Sequence, residues 1–307
     1  MRVAITGANG QLGRLLTRQL QAGHEVVPIV RRRRAEAKLR AAVGEEFGKR
    51  IKRCQPWNAE SLSEAVADCD VLVHLVGTIR ETAKNRFEDT HEAAAATAIA
   101  AAAAAGCERV IYISIVGAAE PGRSEVLTRR LAVERQLFAG FTHATIIRVP
   151  MVLGGDDRAS RALLRQAMRS RAYVLRAGSL EQPIYAGDVV AAVANAIESP
   201  VSGHRAIDLA GPDVISRGAL IQRVATLCNN EVAITSLPLG IVLAAARLME
   251  CFRRPAALQS EMLRILDHDD DIDANAGAAI LGLQLTPLDE FLPLIVERAA
   301  ATHEATA

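Results

Sequence analysis

The sequence has almost no excess of charge of either sign. Its 307 residues include 36 basic and 35 acidic side chains, which leave a net charge of +1. A chain with this balance generates no global field that would draw it to nucleic acid or to an acidic membrane. We therefore expect no nucleic-acid partner, and any anionic partner would need a local basic patch.

Paired cysteines are also missing. The chain has five cysteines, which are far apart and form no Cys-x-x-Cys motif: Cys54, Cys69, Cys107, Cys228 and Cys251. This spacing favours neither a disulfide framework nor a zinc site. We expect no bound metal and a reducing, cytoplasmic environment.

Long hydrophobic runs are absent as well. The most apolar segment, 237–252, is interrupted by Arg247 and Glu250 and falls short of the about 18 to 20 apolar residues that a membrane span needs. The first residues have the pattern of a strand and not of a signal peptide. The sequence predicts no transmembrane segment. The stretch 241–254 has apolar residues at helical spacing and a basic end. Core packing is its default interpretation, and contact with the inner face of a membrane or with a partner helix stays open.

Short β-branched apolar runs do occur, over the first two thirds of the chain. Their near-continuous hydrophobicity is typical of strands that are buried on both faces of a parallel sheet. They lie at 2–6, 25–30, 71–76, 109–114 and 144–149. Helix-compatible stretches separate them, among them the alanine tract 93–105. The alternation predicts an α/β fold, a Rossmann-type doubly wound parallel sheet.

The pattern loosens beyond Pro150, and no Ser/Gly linker divides the chain. We expect an NAD(P)-binding Rossmann domain over 1–235, in which segments after residue 150 contribute to a substrate lobe. A small, mainly helical C-terminal lobe is expected over 236–307. Because open α/β sheets bind ligands at the carboxyl edge of their strands, we expect this lobe to lean on that edge.

The stretch TGANGQLG, residues 6–13, places Gly7, Gly10 and Gly13 at intervals of three between a strand and a helix pattern. The first glycine permits a tight turn, the second lets a pyrophosphate approach the backbone, and the third lets the helix pack closely. The predicted dinucleotide cradle contains Gly7, Asn9, Gly10, Gln11, Leu12 and Gly13. A P-loop is excluded, because Arg14 and Leu15 follow Gly13 where Lys and Ser/Thr are required.

Four consecutive arginines, Arg31 to Arg34, follow the second predicted strand. An NAD-binding chain places an acidic side chain there to bind the ribose 2′-hydroxyl. Guanidinium groups instead suit the 2′-phosphate of NADP(H), so NADP(H) is favoured over NAD(H), with Arg31 and Arg32 as the expected contacts. A solvated turn, or a basic patch for another macromolecule, stays open as the alternative.

These residues together resemble the atypical branch of the short-chain dehydrogenase/reductase superfamily, which includes epimerase/dehydratase-like proteins. The motifs HLVG, YIS and RVPMVLG follow in the family's order, and QPIYAGDVVAAVANAIESP resembles the nucleotide-binding accessory subunit of respiratory complex I and its bacterial relatives. The resemblance implies that Leu75, Val76 and Gly77 line the adenosine side of the cofactor. It places Ser114, Pro150 and Val152 toward the nicotinamide.

Active members of that family carry a Tyr-x-x-x-Lys pair that relays a proton. The matching helix of this chain has Val126 in the tyrosine place and Arg130 in the lysine place. Valine has no proton to give, and arginine stays charged, although it can still donate hydrogen bonds to a ribose. Ser114 is a weak catalytic candidate, and no catalytic residue is assigned.

Two functions follow from this departure, and the sequence does not decide between them. The first is an NADP(H)-binding accessory, assembly or sensor factor linked to quinone or respiratory-complex biology, with a membrane-complex partner. The alternative is an NADPH-dependent oxidoreductase of a carbonyl, unsaturated or quinone-like substrate with a non-standard proton source.

Two acidic features have simpler interpretations. The run DHDDDID at 267–273 fails as an EF-hand, because Ile272 occupies the glycine place and Ala278 the glutamate place. A solvated, turn-rich connection is expected. Asp188, ahead of an apolar helix pattern, is expected to cap that helix.

Overall fold

The computed structural model describes residues 1–76, 93–119, 124–199, 202–240, 242–244, 263 and 268–304, with side chains up to residue 298. Gly77 and most of the stretch 241–254 therefore lie outside the described residues. The strands are β1 Arg2–Thr6, β2 Glu25–Val30, β3 Lys52–Arg53, β4 Val71–His74, β5 Arg109–Ile115, β6 His143–Val149, β7 Val152–Leu153, β8 Arg171–Leu175, β9 Leu180–Glu181, β10 Ile184–Tyr185, β11 His204–Asp208, β12 Ile215–Ser216 and β13 Ala233–Leu237. The helices are α1 Gln11–Leu20, α2 Arg33–Val43, α3 Glu45–Gly48, α4 Ala59–Val66, α5 Ala93–Ala104, α6 Glu125–Gly140, α7 Arg158–Ala167, α8 Ala186–Glu198, α9 Arg217–Leu227, α10 Ala274–Ile280 and α11 Leu288–Glu304.

The chain forms two compact units that are interleaved along the sequence. The first contains Met1–Arg148, Val189–Asp208 and Ile280–Leu283, and the second contains Val149–Asp188, Leu209–Ala279 and Gln284–Ala307. The boundary expected at residue 235 stays a prediction.

A seven-stranded sheet organises the first unit, in the order β11-β6-β5-β4-β1-β2-β3. Strand β1 pairs in parallel with β2 on one side and with β4 on the other. The chain therefore adds β2 and β3 on one side of β1 and then crosses over to add β4 on the other side. The order of strands thus reverses direction beside β1. The predicted doubly wound parallel sheet is confirmed, and ligands of such sheets bind outside the carboxyl ends of the strands at this point.

Small side chains let the helices approach one face of this sheet closely. The alanine tract forms α5, and its residues Ala95, Ala98 and Ala102 are buried in the core of the first unit. The same core takes Leu72 and Val110 from the strands. Alanine has the highest helix propensity and occupies little space. The same residue type therefore favours formation of α5 and lets it pack closely on the sheet.

A buried ion pair joins α6 to β6. The Glu134 carboxylate is only 1% exposed, and it accepts hydrogen bonds from Nε of Arg148 at 3.1 Å and from Nη2 at 2.6 Å. The bond to Glu134 raises the pKa of the Arg148 guanidinium above its ordinary value. Asp208 on β11 lies 3.6 Å from Nη1 of the same arginine. Strands β6 and β11 and helix α6 therefore share one charged contact.

The second unit contains three two-stranded sheets, in which β7 pairs with β10, β8 with β13 and β9 with β12. Its separate core is built by residues from these strands and from α7, α9 and α11: Leu153, Leu163, Val174, Leu220, Val224, Phe291 and Ile295. The helices expected in the C-terminal region are present as α10 and α11.

The interpretation of Asp188 was wrong, and that of the acidic run was wrong for Asp270 only, since Asp269, Asp271 and Asp273 are exposed in an irregular connection. Asp188 is the third residue of α8, and its carboxylate accepts hydrogen bonds from the amide and hydroxyl of Thr286 at 2.8 and 2.7 Å, so it ties a distant loop and does not cap the helix. In the acidic run, Asp270 is 4% exposed and accepts the Gln182 amide at 3.0 Å, and Asp269 accepts the Ser179 hydroxyl. This segment is bound to β9, because backbone amides there satisfy carboxylates that sequence reasoning assigned to solvent.

We expect the substitution Glu134→Gln to lower the free energy of unfolding by about 2 kcal/mol or more, because Arg148 would keep its charge without a buried carboxylate. Urea denaturation followed by circular dichroism measures this change. The matched control is Glu46→Gln, since Glu46 pairs with Lys49 through side chains that are 88% and 69% exposed, and such surface pairs contribute little. Equal stability of the two variants would contradict the role of the buried pair.

Candidate functional site

The glycine stretch forms a tight turn between β1 and α1. The amide of Gly10 donates to the carbonyl of Gly7 at 2.9 Å, and Gly7 has a φ of +73°, which favours glycine over residues with a side chain. A Cβ atom on Gly7 would lie 3.0 Å from the carbonyl carbon and oxygen of Leu75. The turn is thus pressed against the carboxyl end of β4, at the point where the sheet changes direction.

Helix α1 begins in direct contact with this turn. A Cβ atom on Gly13 would lie 2.5 Å from the carbonyl oxygen of Gly7 and 2.6 Å from the Cα of Ala8, and both are backbone atoms that cannot swing aside. Gly13 therefore has to be a glycine for the helix to start where it does, as its place in the motif predicts.

The start of α1 places its first backbone amides at the glycine turn. Its N-cap residue, Gly10, makes no side-chain capping bond, and the first turn carries no acidic residue. Uncapped first-turn amides and the positive end of the helix dipole suit a pyrophosphate. Asn9, Gln11 and Leu12 are all partly buried in this region. The cradle fits a dinucleotide, and the contact of each of its residues with the cofactor stays a prediction.

Apolar side chains continue the site beyond β4. Leu75 and Val76 follow that strand and are partly buried, and the amide of Leu75 donates to the carbonyl of Thr6 at 3.1 Å. A small apolar pocket is lined by Leu75 together with Leu12, Leu16, Ile113, Val189, Val190 and Val193. Leu75 therefore lies beside Leu12 of α1, and the contact of Leu75 with an adenosine stays a prediction.

The arginine run lies where β2 gives way to α2. Arg31 and Arg32 are exposed and follow the strand, whereas Arg33 and Arg34 open the helix. Glu36 is the only acidic residue in the first turn of α2. Its carboxylate is engaged by Nη2 of Arg40 at 3.2 Å and by Nη1 of Arg53 at 3.4 Å.

Arg130 does not extend from α6 into open space. It is 7% exposed, and its Nη1 donates to the Tyr112 hydroxyl at 2.7 Å and to the Ile113 carbonyl at 3.0 Å. Its Cζ lies 5.5 Å from the centre of the Tyr112 ring. Val126, one turn earlier on α6, is fully buried. Both residues in the family's relay places therefore face the protein interior.

Two buried donor groups near this pair are not satisfied. The Ser114 hydroxyl and the Nε of Arg130 have no hydrogen-bond partner among the described residues. Ser114 is 1% exposed and follows Tyr112 by two residues on β5, so the two side chains point to the same face of the sheet. Buried polar groups are normally paired, so these two atoms are exceptions within the part of the chain that the structure describes.

A row of polar side chains crosses the sheet from β1 to β5. Thr6 pairs in register with His74, and His74 pairs with Tyr112. The Thr6 hydroxyl lies 2.9 Å from Nδ1 of His74, whose ring centre lies 5.8 Å from that of Tyr112. The row connects the strand before the glycine turn to Arg130. The sequence patterns assign Tyr112 no role, although the register of β4 and β5 would have indicated this one.

Burial raises the pKa of the Tyr112 phenol, and the neighbouring Arg130 charge opposes that shift only in part. The phenol is therefore neutral at ordinary pH, and it accepts a hydrogen bond from a guanidinium much as a relay tyrosine lies beside a lysine. Tyr112 lies on a strand and is 1% exposed, whereas the family tyrosine lies on the helix.

Pro150 and Val152 belong to the second unit. Val152 opens β7 and pairs with Ile184 of β10, and both Pro150 and Val152 are partly buried. Their predicted place near the nicotinamide stays a prediction. Among the residues that the structure describes, no group of histidines, cysteines or carboxylates is placed to hold a metal, and no helix has the length and apolarity to cross a bilayer.

Comparison with known proteins adds a family and several relatives. A family model described as NAD(P)H-binding matches residues 7–200. The subunit named NADH dehydrogenase [ubiquinone] 1 alpha subcomplex subunit 9, mitochondrial, from Arabidopsis thaliana is 26% identical over 295 residues, which cover 93% of this chain and 73% of that protein. The match to the same-named subunit of Mus musculus covers 76% of this chain but only 63% of that protein, at 26% identity.

A further relative and a solved structure are similar over most of their length. The ceramide reductase of Caulobacter vibrioides is 27% identical over 257 residues, which cover 74% of this chain and 79% of that protein. The structure of an NADPH-dependent quinone oxidoreductase from Escherichia coli, in complex with NADPH, matches with a TM-score of 0.70 and 19% identity, over 96% of this chain and 98% of that one. At that identity the structural match shows the shared fold.

We expect Gly13→Ala to lower the free energy of unfolding by about 2 kcal/mol, because the new methyl group overlaps backbone atoms of the turn. The displaced turn should also weaken binding of NADPH by more than about tenfold. Thermal unfolding and calorimetric titration measure the two effects. Gly23→Ala is the matched control, since a Cβ atom there meets nothing within 4 Å. A Gly13→Ala protein that matches the control in both measurements would show that the close approach is not required.

We expect Tyr112→Phe to lower the free energy of unfolding by about 1 to 2 kcal/mol at neutral pH, because Arg130 loses a buried acceptor. The effect should shrink at high pH. A buried phenol with a raised pKa stabilises the fold below the unfolded-state pKa of about 10, and this contribution is lost as the pH rises toward the folded-state pKa. Urea titrations at neutral and alkaline pH measure the difference between the variant and the parent. Tyr173→Phe, at a side chain that is 58% exposed, should follow the parent at every pH.

Proposed function

The chain belongs to the NAD(P)H-binding family, and from that premise we propose that it is an NADP(H)-binding accessory, assembly or sensor factor linked to quinone or respiratory-complex biology. It is an atypical short-chain dehydrogenase/reductase, similar to the complex I subunits named above and to reductases. The observation that carries the proposal is the combination of an intact glycine cradle with a relay position that is filled by Val126 and Arg130.

The cradle supports tight binding of a dinucleotide. Gly7, Gly10 and Gly13 bring the backbone of the turn, the end of β4 and the start of α1 into contact. In this proposal the phosphate oxygens bind at the start of α1, where the helix dipole is positive and no acidic residue lies in the first turn. In this proposal Asn9, Gln11 and Leu12 complete the pyrophosphate side. Leu75 and Val76 contact the adenosine, and Ser114 and Arg130 donate to the nicotinamide ribose or its ring. When bound, the cofactor supplies hydride chemistry.

Charge around α2 supports NADP(H) over NAD(H). Positive side chains near a helix N-terminus are unfavourable, yet Arg31 to Arg34 cluster at the start of α2. The one carboxylate of the first turn, Glu36, is held by Arg40 and Arg53 and so does not offset them. A 2′-phosphate bound by Arg31 and Arg32 would relieve this repulsion through charge-assisted hydrogen bonds.

The state of α6 argues against ordinary dehydrogenase catalysis. A positioned general acid contributes about 10²- to 10⁴-fold to a rate, and neither Val126 nor Arg130 can be that acid. Arg130 is instead bonded to Tyr112 and to the Ile113 carbonyl, so the former relay has become a structural contact. A subunit role fits this arrangement, and the relatives named as NADH dehydrogenase [ubiquinone] subunits support a membrane complex as the partner.

The alternative is an NADPH-dependent oxidoreductase that acts on a carbonyl, unsaturated or quinone-like substrate. A relative is named as a ceramide reductase, and the unsatisfied Ser114 hydroxyl would hold a substrate oxygen. Hydride transfer needs an oriented cofactor and substrate, so a water molecule could deliver the proton in place of the missing tyrosine. The two functions use the same cofactor site. They differ in that only the oxidoreductase would consume NADPH and a substrate continuously.

We expect the purified chain to bind NADPH at least about tenfold more tightly than NADH in calorimetric titrations, because only NADPH carries the 2′-phosphate. Arg31→Glu should weaken NADPH binding by about 30-fold or more through loss of a charge-assisted bond and added repulsion, and should change NADH binding little. The matched control is Arg205→Glu, an equal charge reversal at an exposed residue of β11.

Equal affinity for the two cofactors, or an equal effect of the two charge reversals, would contradict the arginine assignment. Absence of binding to either cofactor would exclude the cradle itself. Sustained consumption of NADPH with a quinone or carbonyl substrate, abolished by Arg31→Glu and retained by Arg205→Glu, would replace the accessory role with the oxidoreductase.

A further inference from the structure

The nearly neutral chain conceals a strong local separation of charge. Residues 31–53 contain ten basic and three acidic side chains, a net charge of +7, so the remainder of the chain carries −6. Arg31 and Arg32 belong to the proposed cofactor site. The exposed basic side chains of residues 33–53 form a surface of their own, here called the basic face: Arg33, Arg34, Lys38, Lys49, Arg50, Lys52 and Arg53.

Salt bridges show that the basic face is continuous across three elements. Arg53 of β3 reaches Glu36 of α2 at 3.4 Å, and Arg40 of α2 reaches Glu45 of α3 at 3.3 Å. Lys49 takes the remaining carboxylate, that of Glu46, at 2.6 Å. Every acidic side chain of 31–53 is therefore matched by a basic neighbour, and the excess positive charge is left uncompensated within the segment.

The solvent side of α2 carries charge and small side chains only. Arg34, Ala37, Lys38 and Ala41 are exposed on successive turns, while Leu39 is fully buried beneath them. No large apolar side chain of α2 is exposed. A surface of this kind can bind anions, but it has no apolar side chain that would insert into the hydrocarbon region of a membrane.

We propose that the basic face docks the protein on a bilayer surface that contains anionic phospholipid. Lipid headgroups diffuse in the plane of a membrane. They can therefore gather beneath long arginine and lysine side chains that are not arranged for one particular ligand. Clusters of four to eight basic residues bind anionic membranes in this way, at a gain of about fivefold in affinity for each residue.

Nucleic acid fits the same surface less well. Proteins that hold single strands stack bases on exposed aromatic rings. The one aromatic residue of 31–53, Phe47, is partly buried, and its ring lies under the Arg50 guanidinium at 5.6 Å. Helix α2 also has no Asn or Gln, the side chains that bind the edge of adenine in the major groove.

The test is co-sedimentation of the full chain with vesicles made of equal parts phosphatidylcholine and phosphatidylglycerol, and with vesicles of phosphatidylcholine alone. We expect binding to the anionic vesicles only, and its complete loss in high salt, because ions screen charges over about 3 Å at 1 M. The double substitution Lys38→Gln and Lys52→Gln should reduce binding about 25-fold. The matched control, Arg165→Gln with Arg169→Gln, removes two exposed charges of the second unit and should reduce binding less than about threefold.

Binding to neutral vesicles, persistence in high salt, or an equal loss in the control double variant would overturn the proposal. Tighter binding to a nucleic-acid duplex than to the anionic vesicles at the same salt would assign the basic face to the other class of macromolecule. Calorimetric titration with NADPH distinguishes a failure of the membrane proposal from a failure of the proposed cofactor site. The Lys38 and Lys52 double variant should bind NADPH as the parent does, and vesicle binding would survive even if the parent bound no dinucleotide.

Discussion

The approach of α1 to the turn before it is the contact on which the candidate site depends. The distance of 2.5 Å from a Gly13 Cβ to the Gly7 carbonyl oxygen leaves no room for a side chain, and Gly7 itself meets the end of β4. Backbone thus meets backbone at the point where the sheet changes direction. The first turn of α1, the end of β1 and the residues that follow β4 therefore lie close to one another.

The second organising feature is the polar row through Thr6, His74 and Tyr112, which ends at Arg130. In the family pattern, the residue at the place of Arg130 helps a tyrosine on the same helix. Here a guanidinium on the helix is bonded to a phenol on the strand. A cation therefore lies beside a phenol in the interior of the first unit, where their hydrogen bond joins α6 to β5. The Ser114 hydroxyl and the Arg130 Nε nearby in the sequence have no hydrogen-bond partner among the described residues.

Much of the fold could be predicted from the sequence, because strands buried on both faces and glycines in a turn leave strong local patterns. The strands β1 and β2 have the predicted bounds, and the doubly wound order follows from strand and helix alternation. Long-range partners leave no such pattern. Asp188 could not be linked to Thr286, nor Asp270 to Gln182, because each pair is separated by about 90 residues or more. Arg130 was identified as a departure, but its bond to Tyr112 depends on the register of a sheet that local spacing does not specify.

The interleaving of the two units affects how the protein folds during its synthesis on the ribosome. The strand β6 is complete at Val149, yet its edge partner β11 begins only at His204, after the segment 149–188 of the other unit has been made. The side-chain amide of Asn195 donates to the carbonyl groups of Leu281 and Gly282 at 3.0 and 3.1 Å, and these two residues are synthesised later still. An emerging chain therefore carries an open hydrophobic strand edge through more than fifty further residues of synthesis. Unpaired strand edges promote aggregation, so the unfinished chain is more prone to aggregate than the complete one.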